Sequence, residues 1–196
     1  MTAVKSYLKI AKTELIRKSL HFLIALSPLM AALNLSFTQV FLATGILAYI
    51  LFENLRLSGI SIPVVSSLTA MASRPRDQSR FVLGPVTLGL GAFLSLSFYP
   101  PEAASIAIYA LAFGDGFAGL VGSVFGRKRP AFLFGKSLEG SLACFSMVFI
   151  SAFRVCHNLP TSLAAAFTAA ATEALPLEDF DNVVLPLAVG LMVFLV

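Results

Sequence analysis

The stretch Phe113–Ser141, FGDGFAGLVGSVFGRKRPAFLFGKSLEGS, decides how this chain is read. It sets Gly114-Asp115-Gly116 inside an apolar run, follows it with the basic turn Arg127-Lys128-Arg129-Pro130, and opens the next apolar run with Gly135-Lys136-Ser137-Leu138-Glu139-Gly140. An ordinary membrane helix gains nothing from a carboxylate between two glycines, because the charge resists burial and glycine weakens the helix. Asp115 lies twelve residues after Ala103. At ~1.5 Å per residue a continuous helix carries it about 18 Å along the span, near mid-membrane. The expectation is a bent or broken helix whose acid faces an aqueous cavity, and therefore a functional acid rather than a packing residue.

The rest of the chain supports a membrane setting. Of 196 residues, 58% are hydrophobic and 12% charged, and the mean hydropathy is +0.88. A soluble domain of this composition would expose several apolar faces to water, a cost that a bilayer removes. The reading is all-α: a polytopic membrane helix bundle, one domain over 1–196, with no cleaved signal peptide expected. Cys144 and Cys156 sit in or beside apolar runs, so neither a disulfide framework nor a thiolate metal site is expected. The net charge of +4 does not indicate nucleic acid, because the basic residues flank apolar spans and lack interleaved aromatics.

Apolar runs predict about seven transmembrane helices, near 19–35, 38–54, 81–98, 103–124, 138–153, 159–175 and 183–196, with a weaker stretch at 59–72 lying at the interface or re-entering. Charge supports the count. With the N-terminus cytoplasmic, Lys5, Lys9, Lys12, Arg17, Lys18, Arg56, Arg74, Arg76, Arg80, Arg127, Lys128, Arg129 and Lys136 all fall inside, and only Arg154 falls outside. Losing one helix would scatter the later clusters across both faces. Most acids gather at that same face, which the positive-inside rule does not require, so a polar centre open to the cytosol is expected.

Several residues carry candidate chemistry. Asp115 is a base for a hydroxyl or a metal ligand. A helix N-terminus near Ser137 offers free N–H groups, with Ser137 as cap and Lys136 as a point charge for phosphate. Glu139 suits a helix N-terminus and also suits magnesium. Gly119, Gly122 and Gly126 are spaced for close helix packing, with phosphate contact as the alternative. In ELIRKSLHF, Glu14, Lys18 and His21 share one helical face with Arg17 alongside, more polar groups than orientation needs. Glu53 and Arg56 form an expected i, i+3 structural pair. Glu173, Asp181 and Asn182 end and begin helices that are expected to face the same cavity.

Taken together these blocks resemble the family of CTP-dependent lipid kinases that includes dolichol kinase, phytol kinase and the fungal type of diacylglycerol kinase. The resemblance covers nearly the whole chain, through ELIRKSLHF, FENLR, GDGFAGLVGSVFGR with GKSLEGS, and EALPLEDFDNVVLPL. It implies that Arg17, Lys18 and Asp115 belong to the active site and that Arg127, Lys136, Ser137, Glu139 and Gly140 hold CTP. It implies Mg²⁺ as cofactor, with Asp115 and Glu139 as candidate ligands, and a membrane lipid alcohol as acceptor. The central block is also similar to phosphatidate cytidylyltransferases, whose extended C-terminal acidic signature is absent here.

Three function classes follow: a lipid-alcohol kinase using CTP, a cytidylyltransferase making CDP-lipid, and a small transporter. Charge on one face disfavours the transporter, since a permeation path carries polar groups to both sides. No Gly-x-x-x-x-Gly-Lys-Ser/Thr loop is present, so a P-loop ATP site is not indicated.

Overall fold

The computed structural model describes residues 14–60, 63, 67, 69 and 80–196. Lys5, Lys9, Lys12, Arg74, Arg76, the loop 73–79 and most of the expected interfacial stretch 59–72 lie outside the described residues. Every regular element among those described is helical. In chain order they are α1 (14–24), α2 (Ser27–Leu33), α3 (Leu35–Leu57), α4 (Gly84–Phe98), α5 (Pro101–Tyr109), a π-helical turn (Ala110–Asp115), α6 (Gly116–Val124), a 3₁₀ turn (Ala131–Leu133), α7 (Leu138–Cys156), α8 (Leu159–Glu173) and α9 (Asp181–Leu195).

Among the described residues four helical stretches are long and apolar enough to cross a membrane: Glu14–Leu33, Leu35–Leu57, Pro101–Val124 and Leu138–Cys156. The other three expected spans also coincide with helices, α4, α8 and α9, but each has 15 residues. That is about 22 Å at ~1.5 Å per residue, short of a ~30 Å hydrocarbon core. Positions thus match the seven expected spans, while length qualifies four.

Prolines set the breaks. Pro28 has no N–H to donate to the carbonyl of Ile24, and the Ser27 hydroxyl donates to that oxygen instead at 2.7 Å, so α1 and α2 join at a bend. Asn34 separates α2 from α3 and caps α3 by accepting from the Phe37 N–H at 2.9 Å. Inside α9, Pro186 removes the donor that would pair with the Asn182 carbonyl. That oxygen rests on α4 at Gly91, where an added Cβ would lie 2.0 Å from it. Asn182 completes the contact, donating from Nδ2 to Thr87 Oγ1 at 3.0 Å.

The continuous helix α5–π–α6 is the hub. Of its most apolar window 61% is buried, against 17–22% for the other three membrane-length helices. Ile106, Ala110 and Ala118 from it pack with Cys144, Val148 and Ala152 of α7, Ala165, Ala166 and Ala169 of α8, and Leu185 and Val189 of α9. Alanines let these helices close, and in lipid close packing replaces the hydrophobic effect as the driving force between helices. Ala104 and Ile108 meet Leu42, Ala92 and Leu96 on the other side.

The expected Glu53–Arg56 pair forms, with Arg56 donating to both carboxylate oxygens at 2.8 and 2.7 Å. Glu53 is fully buried and also accepts from the Val82 N–H and the Thr69 hydroxyl, each at 3.0 Å. A buried carboxylate with four donors is a structural anchor, here tying the end of α3 to the chain entering α4.

Candidate functional site

Asp115 ends a π-helical turn rather than a broken helix. The expected irregularity is there, but the chain stays helical on both sides of it. A π turn widens the helix by one residue and frequently marks a functional site. Gly114 and Gly116 have a plain packing reason: a Cβ at Gly114 would meet Val148 at 2.6 Å, and one at Gly116 would meet the Phe22 ring at 2.8 Å.

That Phe22–Gly116 contact seats α1 on the hub, and one turn further Gly119 leaves room for Lys18, whose Cε would lie 2.5 Å from an added Cβ. Lys18 Nζ then reaches Asp115 Oδ2 at 2.5 Å, with both side chains buried. His21 Nδ1 lies 3.0 Å from the same oxygen without an aligned hydrogen bond. Glu14 is ion-paired with Arg17 and stands beside Gly119. The face predicted from ELIRKSLHF is thus directed at Asp115.

Asp115 and Lys18 stand on the wall of a cavity of about 420 Å³. Arg17, Arg129, Lys136, Ser137, Gly140, Glu173 and Asp181 share that wall, as do Gly119, Gly122 and Glu178. Residues from α1, the hub, the α6–α7 connection, the end of α8 and the start of α9 therefore meet at one end of the bundle. The charge sorting read along the chain becomes a single site in space.

Each side chain on the α6–α8 side is held by a partner. Ser137 accepts from the Gly140 N–H at 3.1 Å and so caps α7 as expected. Gly122 and Gly126 admit it, since a Cβ at either would approach Ser137 Oγ to 2.9 or 2.7 Å. Lys136 Nζ donates to Glu173 Oε1 at 2.9 Å, and Ser141 donates to Glu173 Oε2 at 3.2 Å. Burial alone would push the Lys136 ammonium down, but attraction to Glu173 and the hydrogen bond it donates to that carboxylate, with attraction to Asp115 and Asp181 added, hold it above the ordinary lysine value. Asp181 Oδ1 accepts from the Asn182 N–H at 2.8 Å.

Two expected members stand elsewhere. Arg127 is exposed and off the cavity wall. Its neighbour Arg129 takes the place, folded back by donating to the Gly135 carbonyl at 2.6 Å and toward the Gly122 carbonyl at 3.3 Å. Glu139 turns to the loop, its carboxylate accepting from the Lys128 N–H at 3.2 and 3.3 Å. It pins the basic turn and lies off the cavity wall on which Asp115 stands. Asn182 is the α9–α4 clamp described above. Arg129 and Glu178 were not among the expected site residues. Nothing in RKR distinguishes its third residue from its first, and Glu178 reaches the wall through a left-handed backbone, φ 56°, in the α8–α9 connection.

Among the described residues no three His, Cys, Asp or Glu side chains converge on a preformed metal site. A magnesium ion that arrives with a nucleotide needs only one or two carboxylates beside phosphate and water oxygens. Asp115, Glu178 and Asp181 place carboxylates on the same wall, so the donor set fits such an ion, with Glu139 outside it. Four cations, Arg17, Lys18, Arg129 and Lys136, face four carboxylates, Asp115, Glu173, Glu178 and Asp181, across the cavity, so it is densely charged and formally balanced. No protein-family model, curated protein or solved structure gave a match to this chain.

Proposed function

We propose that the protein is an integral-membrane lipid-alcohol kinase that takes its phosphoryl group from CTP with Mg²⁺, its site open to the cytosol and its N-terminus on that side. The bundle then crosses the membrane seven times, with α4, α8 and α9 as short crossings. The observation that carries the reading is the Lys18–Asp115 pair at the bottom of a cavity ringed by Arg17, Arg129 and Lys136. A carboxylate held deep in an apolar bundle beside a charged pocket that presents two guanidinium and two ammonium groups suits a hydroxyl from the lipid on one side and a polyphosphate from water on the other.

In this reading Arg129 and Lys136 hold the nucleotide's phosphates, and Arg17 with Lys18 stabilises charge that spreads over the transferring group. Carboxylates on the cavity wall, Glu178 and Asp181 beside Asp115, would hold Mg²⁺, which would supply neutralisation of phosphate charge. The acceptor oxygen forms a bond to the γ-phosphorus while the bond from that phosphorus to the β–γ bridging oxygen breaks. CDP leaves, and the hydroxyl proton passes to Asp115. A transition state with little bond order to the nucleophile needs position more than a strong base, so a lysine-paired Asp115 suffices. Asp115 also fixes where the hydroxyl sits.

The test is product analysis. Purified protein with magnesium, CTP and candidate lipid alcohols is expected to yield CDP and a lipid monophosphate. Pyrophosphate release with a lipid phosphate as acceptor identifies a cytidylyltransferase instead. Absence of nucleotide turnover with any lipid favours the transporter.

A further inference from the structure

The 420 Å³ cavity is not alone at Asp115. Beside it lies a narrow neck of about 30 Å³, which shares Arg17, Lys18 and Asp115 with the cavity and adds the polar residues His21, Asp179 and Asn182. The neck in turn shares Leu20, Pro85 and Leu88 with a third space of about 340 Å³, a groove among α1, α2, α3 and α4. Leu23, Met30, Phe41 and Leu42 line it further out. Asp115 thus stands between a highly charged cavity on one side and an apolar groove on the other.

We propose that this groove holds the acceptor of the kinase reading, on which the inference rests, and that the acceptor is an alcohol with a single aliphatic chain rather than a diacylglycerol. Three observations choose that occupant. First, the groove offers hydrocarbon contact and no free hydrogen-bond donor from its hydroxyls: Ser27 donates to the Ile24 carbonyl at 2.7 Å and Thr38 to the Asn34 carbonyl at 2.9 Å. Second, the neck has about the volume of one water, enough for a hydroxyl on a methylene. Ester carbonyls three or four bonds beyond the carbinol carbon would lie past the neck in the groove, where Pro85 lacks an N–H and the Ser27 and Thr38 hydroxyls already donate elsewhere, and would be buried without those donors. Third, the buried His21 Nδ1 has no aligned partner in the neck. A hydroxyl arriving there would meet both that nitrogen and the Asp115 carboxylate.

The geometry also orders the two substrates. The nucleotide enters from the charged end and the lipid from the bilayer side, so neither must pass the other. The reacting oxygen and phosphorus meet at Asp115 and Lys18.

Photo-labelling of the full-length protein tests the assignment without needing turnover. A long-chain isoprenoid alcohol bearing a diazirine in its chain is expected to label Leu23, Met30 and Phe41 in a saturable way, with no nucleotide present. Unlabelled alcohol should displace it at a concentration about tenfold or more below that needed of a diacylglycerol or of the alcohol's methyl ether. Leu23 is exposed to lipid and outside the reacting groups, so Leu23→Trp can fill the groove without disturbing the core. It should lower saturable labelling about tenfold and raise the KM for the alcohol but not for CTP. Leu47→Trp, exposed on α3 away from the groove, should change neither. Labelling spread evenly over lipid-facing helices, or displacement as effective by diacylglycerol, overturns the proposal. Saturable groove labelling with no lipid phosphate formed under any nucleotide would leave the groove assignment standing and remove the kinase reading. Lipid phosphate formed with labels on other helices does the reverse.

Discussion

Lys18 Nζ and Asp115 Oδ2 lie 2.5 Å apart although 97 residues separate them in the chain. The pair joins α1 to the hub at the point where cavity, neck and π turn coincide. Because both side chains are buried, the pair is expected to matter to folding and to chemistry in different proportions. Asp115→Asn should fold and lose turnover by orders of magnitude, and near-normal turnover in that variant would reduce Asp115 to a packing residue. Lys18→Met takes the ammonium partner from a buried carboxylate, leaving His21 beside it, and should cost about 3–5 kcal/mol in denaturation measurements. Combining it with Asp115→Asn should restore much of that stability and none of the activity, a non-additivity that a double-mutant cycle reads directly.

Lys136 and Glu173 set the alkaline behaviour. The Lys136 charge is held above the ordinary lysine value, so its contribution to nucleotide binding should be complete below that value and lost only as pH rises through the raised one. Glu173→Gln removes the main attraction and leaves burial, which favours the neutral amine. The alkaline limb of kcat/KM for CTP should then move to lower pH. An unmoved limb would mean that another group sets it.

Arg129 and Arg127 should separate cleanly. Arg129→Ala removes a guanidinium from the cavity wall and should raise the KM for CTP about tenfold or more, while Arg127→Ala should leave it within about twofold. Equal effects would place both on the nucleotide.

Gly91 is a steric requirement of the α4–α9 contact. A methyl group there would sit 2.0 Å from the Asn182 carbonyl, which Pro186 leaves without a helical donor. Gly91→Ala should destabilise the protein by about 1–3 kcal/mol or abolish its accumulation. Gly45→Ala meets nothing within 4 Å and should be near neutral. Thermal unfolding of the two variants in detergent measures the difference.

Orientation is open to labelling. In a background with Cys156→Ser, cysteine placed at Lys128 should react from the cytosolic side only and cysteine at Glu102 from the opposite side only. Reaction of both from one side would break the seven-crossing reading.

The helices themselves were legible in the sequence, because apolar runs of about the right length have few alternatives and prolines and glycines mark their ends. The same holds for the face Glu14-Lys18-His21, since three- and four-residue spacing stacks side chains on one side of a helix whatever it packs against. The glycine spacing in GLVGSVFG announced close approach, and the coordinates supply the partners, Lys18 at Gly119 and Ser137 at Gly122 and Gly126. What spacing leaves open is which residue of a turn faces inward. Arg127 and Arg129 are alike in the sequence, and only the bonds from Arg129 to the Gly135 and Gly122 carbonyls place one over the cavity. Glu139 looked equally suited to a helix start and to a metal, and its carboxylate went to the Lys128 N–H because the loop folds back over that turn. The groove behind Asp115 had no local signal at all, since its walls come from four helices and each contributes ordinary apolar residues. Helix positions follow from hydropathy along the chain, a one-dimensional property. A site assembled across helices depends on how those helices cross and rotate, and packing between distant residues decides that.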